Sequence, residues 1–407
     1  MRGRAHPVTG ARRSRIGFGV MTALVVGALG AGVGAIALPG PGGAAPGGAA
    51  PEAAPVSSSG PAPEAAPAEA PDTCGPKVAA LSTRDRLAQR LMVGVDAADP
   101  AGAARIVKSS QVGGVFLGGN ETALLQNNRL QALQDASRTP LAVGVDEEGG
   151  RVQRIDDLDG DRPSARQMAK QSPEQVTELA RSRAEQLRAR GVTWNLAPDV
   201  DVSDQPRTDV IGDRSFSDDP EVVTRYARAW AEGQHAGGVF GVLKHFPGHG
   251  HSSGDSHKGS VTVPPLSELE RTDLKPYEAL VGPGKPLDDT TGVMLGHLEV
   301  PGLTGDVPAS VAPKAYQLLR EKYRFDGLVM TDDLGAMKAI TERYGLAEAT
   351  TRALSAGADV ALFSNVTSPD PLLDAAESAL ARGRITPQDN DAAVARVLEA
   401  KGLCHRA

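Results

Sequence analysis

The segment Lys244-His245-Phe246-Pro247-Gly248-His249-Gly250-His251, running on to Gly254-Asp255-Ser256-His257, holds four of the eight histidines in the chain. Its Gly, Pro and Ser content marks a long loop of the kind that folds over a site and moves. Asp255 stands two residues before His257, close enough in a tight loop for the carboxylate to orient the imidazole, fix its tautomer and raise its basicity. That pairing suits a general acid–base working near neutral pH. His249-Gly250-His251 also has the His-x-His spacing of metal ligands in barrel hydrolases, a reading that stays open at this point. Lys244 and His245 suit the binding of hydroxyl groups.

Three further segments carry charge in suggestive order. Met330-Thr331-Asp332-Asp333-Leu334 offers a carboxylate just after an apolar run, a nucleophile or a metal ligand, with Asp333 the better candidate for capping the next helix. In Asp146-Glu147-Glu148-Gly149-Gly150-Arg151-Val152-Gln153-Arg154 the paired glycines let backbone approach a ligand, and Asp with Arg can hold a sugar diol. Gly212-Asp213-Arg214-Ser215-Phe216 adds one more loop arginine. Asp157-Leu158-Asp159-Gly160-Asp161 looks like a calcium loop but puts its Gly at the fourth position rather than the sixth, so a surface loop is expected.

Elements that would bring these residues together are visible in the hydropathy pattern. Short apolar runs fall at Leu91–Val95, Gly113–Leu117, Leu141–Val145, Val192–Leu196, Val239–Leu243, Gly292–Leu295, Gly327–Met330 and Asp359–Phe363. Amphipathic stretches such as Glu174–Arg190, Pro220–Ala236 and Pro313–Lys322 lie between them, the last two opening with a proline suited to a first helical turn. Strands alternating with helices imply right-handed βαβ units, and eight of them an α/β fold with a single (β/α)8 barrel. A doubly wound open sheet is the competitor, but no Gly-rich dinucleotide fingerprint follows the first strand. In a barrel the strand ends carrying Asp146, Asn195–Asp201, Lys244-His245, His297 and Asp332-Asp333 converge on one face.

Composition narrows the class. The 407 residues carry a net charge of −7, and only 3 % are aromatic. An acidic chain without a basic stripe argues against nucleic acid as a partner. Arg2, Arg4, Arg12, Arg13 and Arg15 precede an uncharged apolar run from Ile16 to Leu38, the pattern of an export signal or signal anchor over residues 1–38. The Ala/Pro/Gly-rich stretch that follows reads as a disordered linker over 39–76, leaving 77–407 as the folded body. These features predict an extracellular or cell-surface protein that meets a membrane only through its N-terminal segment. In that oxidising setting the two cysteines, Cys74 and Cys404, are expected to pair and staple the ends of the folded body.

Taken together, the segments resemble the glycoside hydrolase family 3 β-N-acetylhexosaminidases, the NagZ-like enzymes, over essentially all of 77–407. The most specific part is Lys-His-Phe-Pro-Gly-His-Gly at 244–250 with Asp255-Ser256-His257, supported by Asp146–Arg154, Asn195-Leu196-Ala197-Pro198, Ile211–Phe216 and Thr331-Asp332-Asp333-Leu334. The resemblance implies that Asp332 is the nucleophile forming a glycosyl-enzyme, His257 the acid–base and Asp255 its partner. It also implies that Asp146, Arg154, Arg214, Lys244 and His245 bind the N-acetylglucosamine unit. Met337 stands one residue farther from the nucleophile than the family pattern often has it. The expected partner is therefore a carbohydrate, terminal N-acetylglucosamine of cell-wall (peptidoglycan) fragments, handled by a monomer without cofactor or metal. Because the chain ends with the barrel, the acid–base is expected to come from the barrel itself.

Overall fold

In a computed structural model of the chain, the residues described are 71–406 apart from 289, 366 and 367. The expected export run at 16–38 and nearly all of the linker lie outside them. Among the described residues no helix is long and apolar enough to cross a membrane.

Each of the eight apolar runs forms a strand: β1 Leu91–Gly94, β2 Gly114–Leu117, β3 Ala142–Val145, β4 Trp194–Asn195, β5 Phe240–Phe246, β6 Thr291–Leu295, β7 Val329–Asp333 and β8 Val360–Phe363. They pair in sequence order, all parallel, and β8 returns to β1 through Leu91↔Ala361 and Met92↔Leu362, closing the barrel. Side chains alternate across the barrel wall, as the two-residue strand period demands. Met92, Phe116, Ala142, Trp194, Val242, Met294, Met330, Val360 and Leu362 form the cluster inside the barrel. Val93, Val115, Val143, Leu243, Val293, Val329 and Phe363 point outward into the helical layer. With so few aromatics, unbranched methionine fills much of the interior, since it adapts to irregular gaps.

Helices Pro173–Ala189 and Pro220–Ala236 follow the expected stretches closely and pack on each other. Each starts with proline in its first turn after a capping side chain: Ser172 accepts from the N–H of Gln175, and Asp219 from that of Glu221. Three expectations change. The helix expected over Pro313–Lys322 is α-helical only to Gln317 and finishes in one wider π turn, Leu318–Lys322. The Asp157–Asp161 surface loop is instead entered through a short helix, Asp156–Asp159, because Asp159 is drawn into an ion pair with Arg190 (Oδ2–Nε 2.5 Å). β5 and β7 each run three residues beyond the apolar run, carrying Lys244, His245, Asp332 and Asp333 on strand rather than after it.

The two ends of the described region meet. Helix Cys74–Ala79 packs on the C-terminal helix Pro387–Ala400, and Thr73 N–H donates to the carbonyl of His405 (2.9 Å). Cys74 and Cys404 are joined by a disulfide with their Cα atoms 5.0 Å apart, in a small apolar cluster with Val78, Val394 and Leu398. Closing so long a loop removes denatured-state entropy worth at most roughly 5 kcal/mol, less whatever structure the unfolded chain retains. The oxidised protein is therefore expected to lose several degrees of Tm on reduction, and Cys404→Ser to melt at the reduced value with or without reductant. Mass spectrometry of unreduced protein showing two free thiols would refute the cross-link.

Candidate active site

Beyond β3 the chain turns back on itself through Gly149 and Gly150 (φ 88° and 59°), where a side chain on Gly149 would strike the carbonyl of Pro163. This turn sends two adjacent glutamates opposite ways. Glu147 points into the wall, where Oε2 accepts from the N–H groups of Arg154 (2.6 Å) and Ile155 (3.2 Å) and Oε1 lies 3.4 Å from buried Arg183. Burial is the main effect there and raises its carboxyl. Glu148 points into the barrel mouth. It holds Arg214 by two bonds of 2.8 Å and Lys244 by one of 2.6 Å.

Lys244 also reaches Asp146 Oδ1 at 2.6 Å, and Arg154 Nη2 stands 3.9 Å from Asp146 Oδ2. Burial alone would raise the Glu148 carboxyl, but Arg214 and Lys244 outweigh it and hold it well below the usual range. Burial likewise disfavours the charged forms of Lys244 and Arg214, yet their carboxylate partners prevail and raise both. Glu148, Lys244 and Arg214 are ionised at neutral pH, cross-paired with one another and with Asp146, and aimed at one space.

Lys244 and His245 are consecutive, yet both side chains enter the mouth. The pairing of β5 with β6 shifts register between Leu243 and Phe246, which breaks the in–out alternation at this point. His245 Nδ1–H donates to Asp201 Oδ2 (2.7 Å), and its Nε2 lies 3.4 Å from Arg214 Nη2. Burial first, then Arg214, pushes the imidazole down to about 4, so it is neutral at pH 7.

At the end of β7 the two aspartates part company. Asp333 Oδ1 accepts from the N–H groups of Gly335 and Ser364, both 2.8 Å, and Oδ2 accepts from the Ser364 hydroxyl. It does not cap the next helix, which starts only at Lys338; its donors are Gly335 in the turn that follows and Ser364 just past β8. Asp332 takes a bond from the Asp333 N–H (2.8 Å) and turns its carboxylate to the cavity. Burial opposes its ionisation, but His245, His297, that N–H and Lys244 outweigh burial and keep it below the ordinary value.

The loop after β5 is fixed at its root and exposed at its tip. A side chain on Gly250 would collide with the carbonyl of Val202, whereas the glycine allows Ser203 Oγ and Gln205 Nε2 both to donate to its carbonyl at 3.0 Å. His249 N–H donates to Asp201 (2.7 Å), and His251 pairs with buried Asp273 (2.9 Å). The rings of His249 and His251 therefore go to different partners, Ser252 with Ser256 and Asp273 respectively. At the tip His257 Nδ1 meets Asp255 Oδ1 at 2.8 Å, with the His257 side chain 59 % exposed and Lys258 3.3 Å from the other carboxylate oxygen.

A cavity of about 940 Å³ lies under this loop. Asp146, Arg154, Arg214, Lys244, His245, Asp255, His257 and Asp332 all border it, so the structure brings the eight sequence-derived residues to one space. Met337 borders it too. Between residues 82 and 400 the sequence matches the glycosyl hydrolase family 3 N-terminal domain. This chain belongs to glycosyl hydrolase family 3.

Relatives of the family 3 chain agree along most of its length. It is 47 % identical over 333 residues to the β-hexosaminidase LpqI of Mycobacterium tuberculosis, covering 80 % of this chain and 84 % of the relative. A family 3 glycosyl hydrolase from Mycobacterium smegmatis superposes with a TM-score of 0.76 at 48 % identity, covering 81 % of this chain and 99 % of that one. A family 3 β-N-acetylglucosaminidase from Paenibacillus sp. gives 0.71 at 30 % identity over 80 % of this chain and 63 % of its own.

Sequence reasoning quoted Glu148, Asp199 and Asp201 within their segments but gave them no role. The available signal was the run of acids just past β3 and the Asp-x-Asp just past β4, both at strand ends that face the mouth. Asp199, Asp201 and His245 bring potential ligand atoms within 4.8 Å of one another, and the Arg214 guanidinium, 3.6 Å from Asp199, supplies positive charge beside them.

Glu148→Gln keeps the shape but leaves two buried cations short of a counter-charge, so it is expected to cost roughly 3 kcal/mol in denaturant unfolding at pH 7. A carboxyl whose folded pKa is depressed stabilises above its unfolded value and loses that contribution in acid. The gap between wild type and variant should therefore begin to close below about pH 4.3 and vanish below the depressed folded value. A gap independent of pH would contradict the charge pairing.

Proposed function

We propose that this family 3 enzyme is an exported, retaining exo-β-N-acetylglucosaminidase that releases terminal N-acetylglucosamine from peptidoglycan fragments. Hexosaminidase activity is supported by the relatives, which carry that name at substantial identity over most of the chain. One observation carries the mechanism: an ionised Asp332 at the floor of a cavity whose lid bears the Asp255–His257 pair. Phe116, Leu196, Met294 and Leu362 border the cavity where it meets the packed barrel interior. A blind pocket of this kind accepts a chain end rather than a chain middle, which favours exo action.

Retaining glycosidases ordinarily pair two carboxyl groups roughly 5–5.5 Å apart. Here an imidazole takes the second role. Asp332 attacks the anomeric carbon as protonated His257, steadied at Nδ1 by Asp255, gives its Nε2 proton to the departing oxygen. The covalent glycosyl-enzyme is then opened by water, whose proton returns to His257 Nε2 as the Asp332 carboxylate leaves. The paired charges of Asp146, Arg154, Arg214 and Lys244, with His245, give a sugar fixed donors and acceptors for its hydroxyls. Export is supported by the basic-then-apolar start of the chain, its Ala/Pro/Gly spacer and the Cys74–Cys404 cross-link, which suits an oxidising compartment.

Turnover of a chromogenic β-N-acetylglucosaminide is the direct test. Asp332→Asn should lower it by about 10⁴-fold or more while the protein still folds, and Asp333→Asn should act through stability instead. A dead Asp333→Asn beside an active Asp332→Asn would reverse their roles. Exhaustive chelation should leave turnover unchanged; activity lost on chelation and restored by a divalent cation would favour a metal-dependent hydrolase.

His257→Ala should slow substrates with poor leaving groups far more than activated aryl glycosides, which depart with little protonation. Asp255→Ala should follow the same trend more weakly, since the imidazole remains. Equal losses on both substrate types would move the acid–base role elsewhere.

A further inference from the structure

Behind the imidazole of His245 lies a buried acidic pair, Asp199 and Asp201, that does not itself border the cavity. Asp201 Oδ1 accepts from the backbone N–H groups of His249 (2.7 Å) and His245 (3.3 Å), and its Oδ2 from His245 Nδ1 (2.7 Å). Asp199 Oδ1 accepts from the Asp201 N–H (2.9 Å), while Asp199 Oδ2 is buried and has no hydrogen-bond donor. That oxygen has the Arg214 guanidinium 3.6 Å away as an ion-pair neighbour but no hydrogen bond, and a proton on it converts an unpaired acceptor into a donor.

The electrostatics agree. Burial first, then the neighbouring Asp201 charge, pushes Asp199 up to about 8, so that it carries a proton at neutral pH. Burial raises Asp201 only to about 6. Arg214, Glu148, Lys244, Asp332, His249, His251 and Tyr277 are among the other ionisable groups around the ring and the pair. At neutral pH the pair thus shares one proton and one negative charge.

We propose that Asp201, backed by Asp199, is a positioning residue that holds His245 with its Nδ1–H turned into the wall, so that Nε2 offers the sugar a lone pair. The proposal rests on the reading above, in which His245 contacts the sugar. It assigns a direction to that contact: His245 accepts from a sugar hydroxyl, whereas neighbouring Lys244 and Arg214 can only donate. A site built to accept that hydroxyl proton discriminates against sugars lacking it.

Nitrogen-15 NMR of the histidine rings in the full chain tests this, with the His245 signals identified by their disappearance in His245→Gln. The wild type should show a protonated Nδ1 and a bare Nε2. In Asp201→Asn the amide oxygen can keep the two backbone N–H groups, so the amide nitrogen faces Nδ1 as a donor and should reverse the tautomer. kcat/KM should then fall about 100-fold, the scale expected when a buried sugar hydroxyl is left facing a donor instead of an acceptor. In the His245→Gln background the same substitution should cost less than about 3-fold more.

An unchanged tautomer in Asp201→Asn, or an equal loss with and without His245, overturns the proposal. If Asp201→Asn does not fold, Asp199 carries the test: Asp199→Asn, a neutral donor to Asp201, should retain about 10-fold more kcat/KM than Asp199→Ala, and equal losses overturn it. Full activity in His245→Gln would instead sink the sugar-contact reading itself, whatever tautomer the ring adopts.

Discussion

Everything at the barrel mouth depends on the pairing of Glu148 with Arg214 and Lys244. Side-chain exposures of 4, 12 and 3 % mean that none of the three can be rescued by water. Isolated charges so buried would shed or gain protons; crossed with one another and with Asp146 they stay ionised. The three residues come from the turn after β3, the loop after β4 and the end of β5. One network therefore sets the spacing of adjacent strand ends and pre-organises the charged groups that line the cavity. Binding does not have to assemble these charges, because folding already has.

The site divides into a rigid floor and an exposed roof. Asp332 sits on strand, with its sibling Asp333 tied to Ser364 just past β8, so its carboxylate is held in place at the cavity. Behind it, His297 donates to the Asp333 carbonyl (2.9 Å) and takes a bond from Ser310 (2.7 Å), bracing the same strand end from the β6 side. The roof is different. Its root is pinned through Gly250, His249 and His251, but the Asp255–His257 pair at its tip is held chiefly by its own contacts, above a buried Ser256 anchored by the Ala339 N–H on its carbonyl (3.1 Å) and by Oγ contacts with His249 (3.5 Å) and Met337 Sδ (3.7 Å). In the proposed mechanism this pair approaches a leaving oxygen and then a water molecule, and gains from that freedom.

The closure of the chain ends serves the same economy of parts. Arg90, fully buried, bonds to the carbonyls of Leu354 and Ala358 and to Asn390 in the C-terminal helix, tying β1 to the last turns of the barrel. The Cys74–Cys404 bond adds a covalent link beside it. These ties lie where the first and last barrel elements meet, while the charged cavity lies at the C-terminal strand ends, where active sites of this architecture generally sit.

Much of this is legible in the order of residues alone. Eight apolar runs of strand length separated by helical stretches have few packing solutions, and a closed parallel barrel necessarily gathers its charged strand ends on one face. Residue type and chain position were therefore enough to nominate Asp332, Lys244, His245 and the Asp255–His257 pair. The sequence could not say which of two adjacent glutamates enters the mouth, because Glu147 is claimed by backbone N–H groups that only the Gly149–Gly150 turn brings back to it. Nor could it show that Lys244 and His245 both point inward, since that follows from a register shift against β6. Asp333 was expected to serve its own helix and serves Ser364 just past the next strand instead. Local periodicity and capping are encoded within a few residues, whereas the bonds that decide the site join residues tens of positions apart, such as Lys244 and Asp146. Those partners exist for one another only after the barrel has closed.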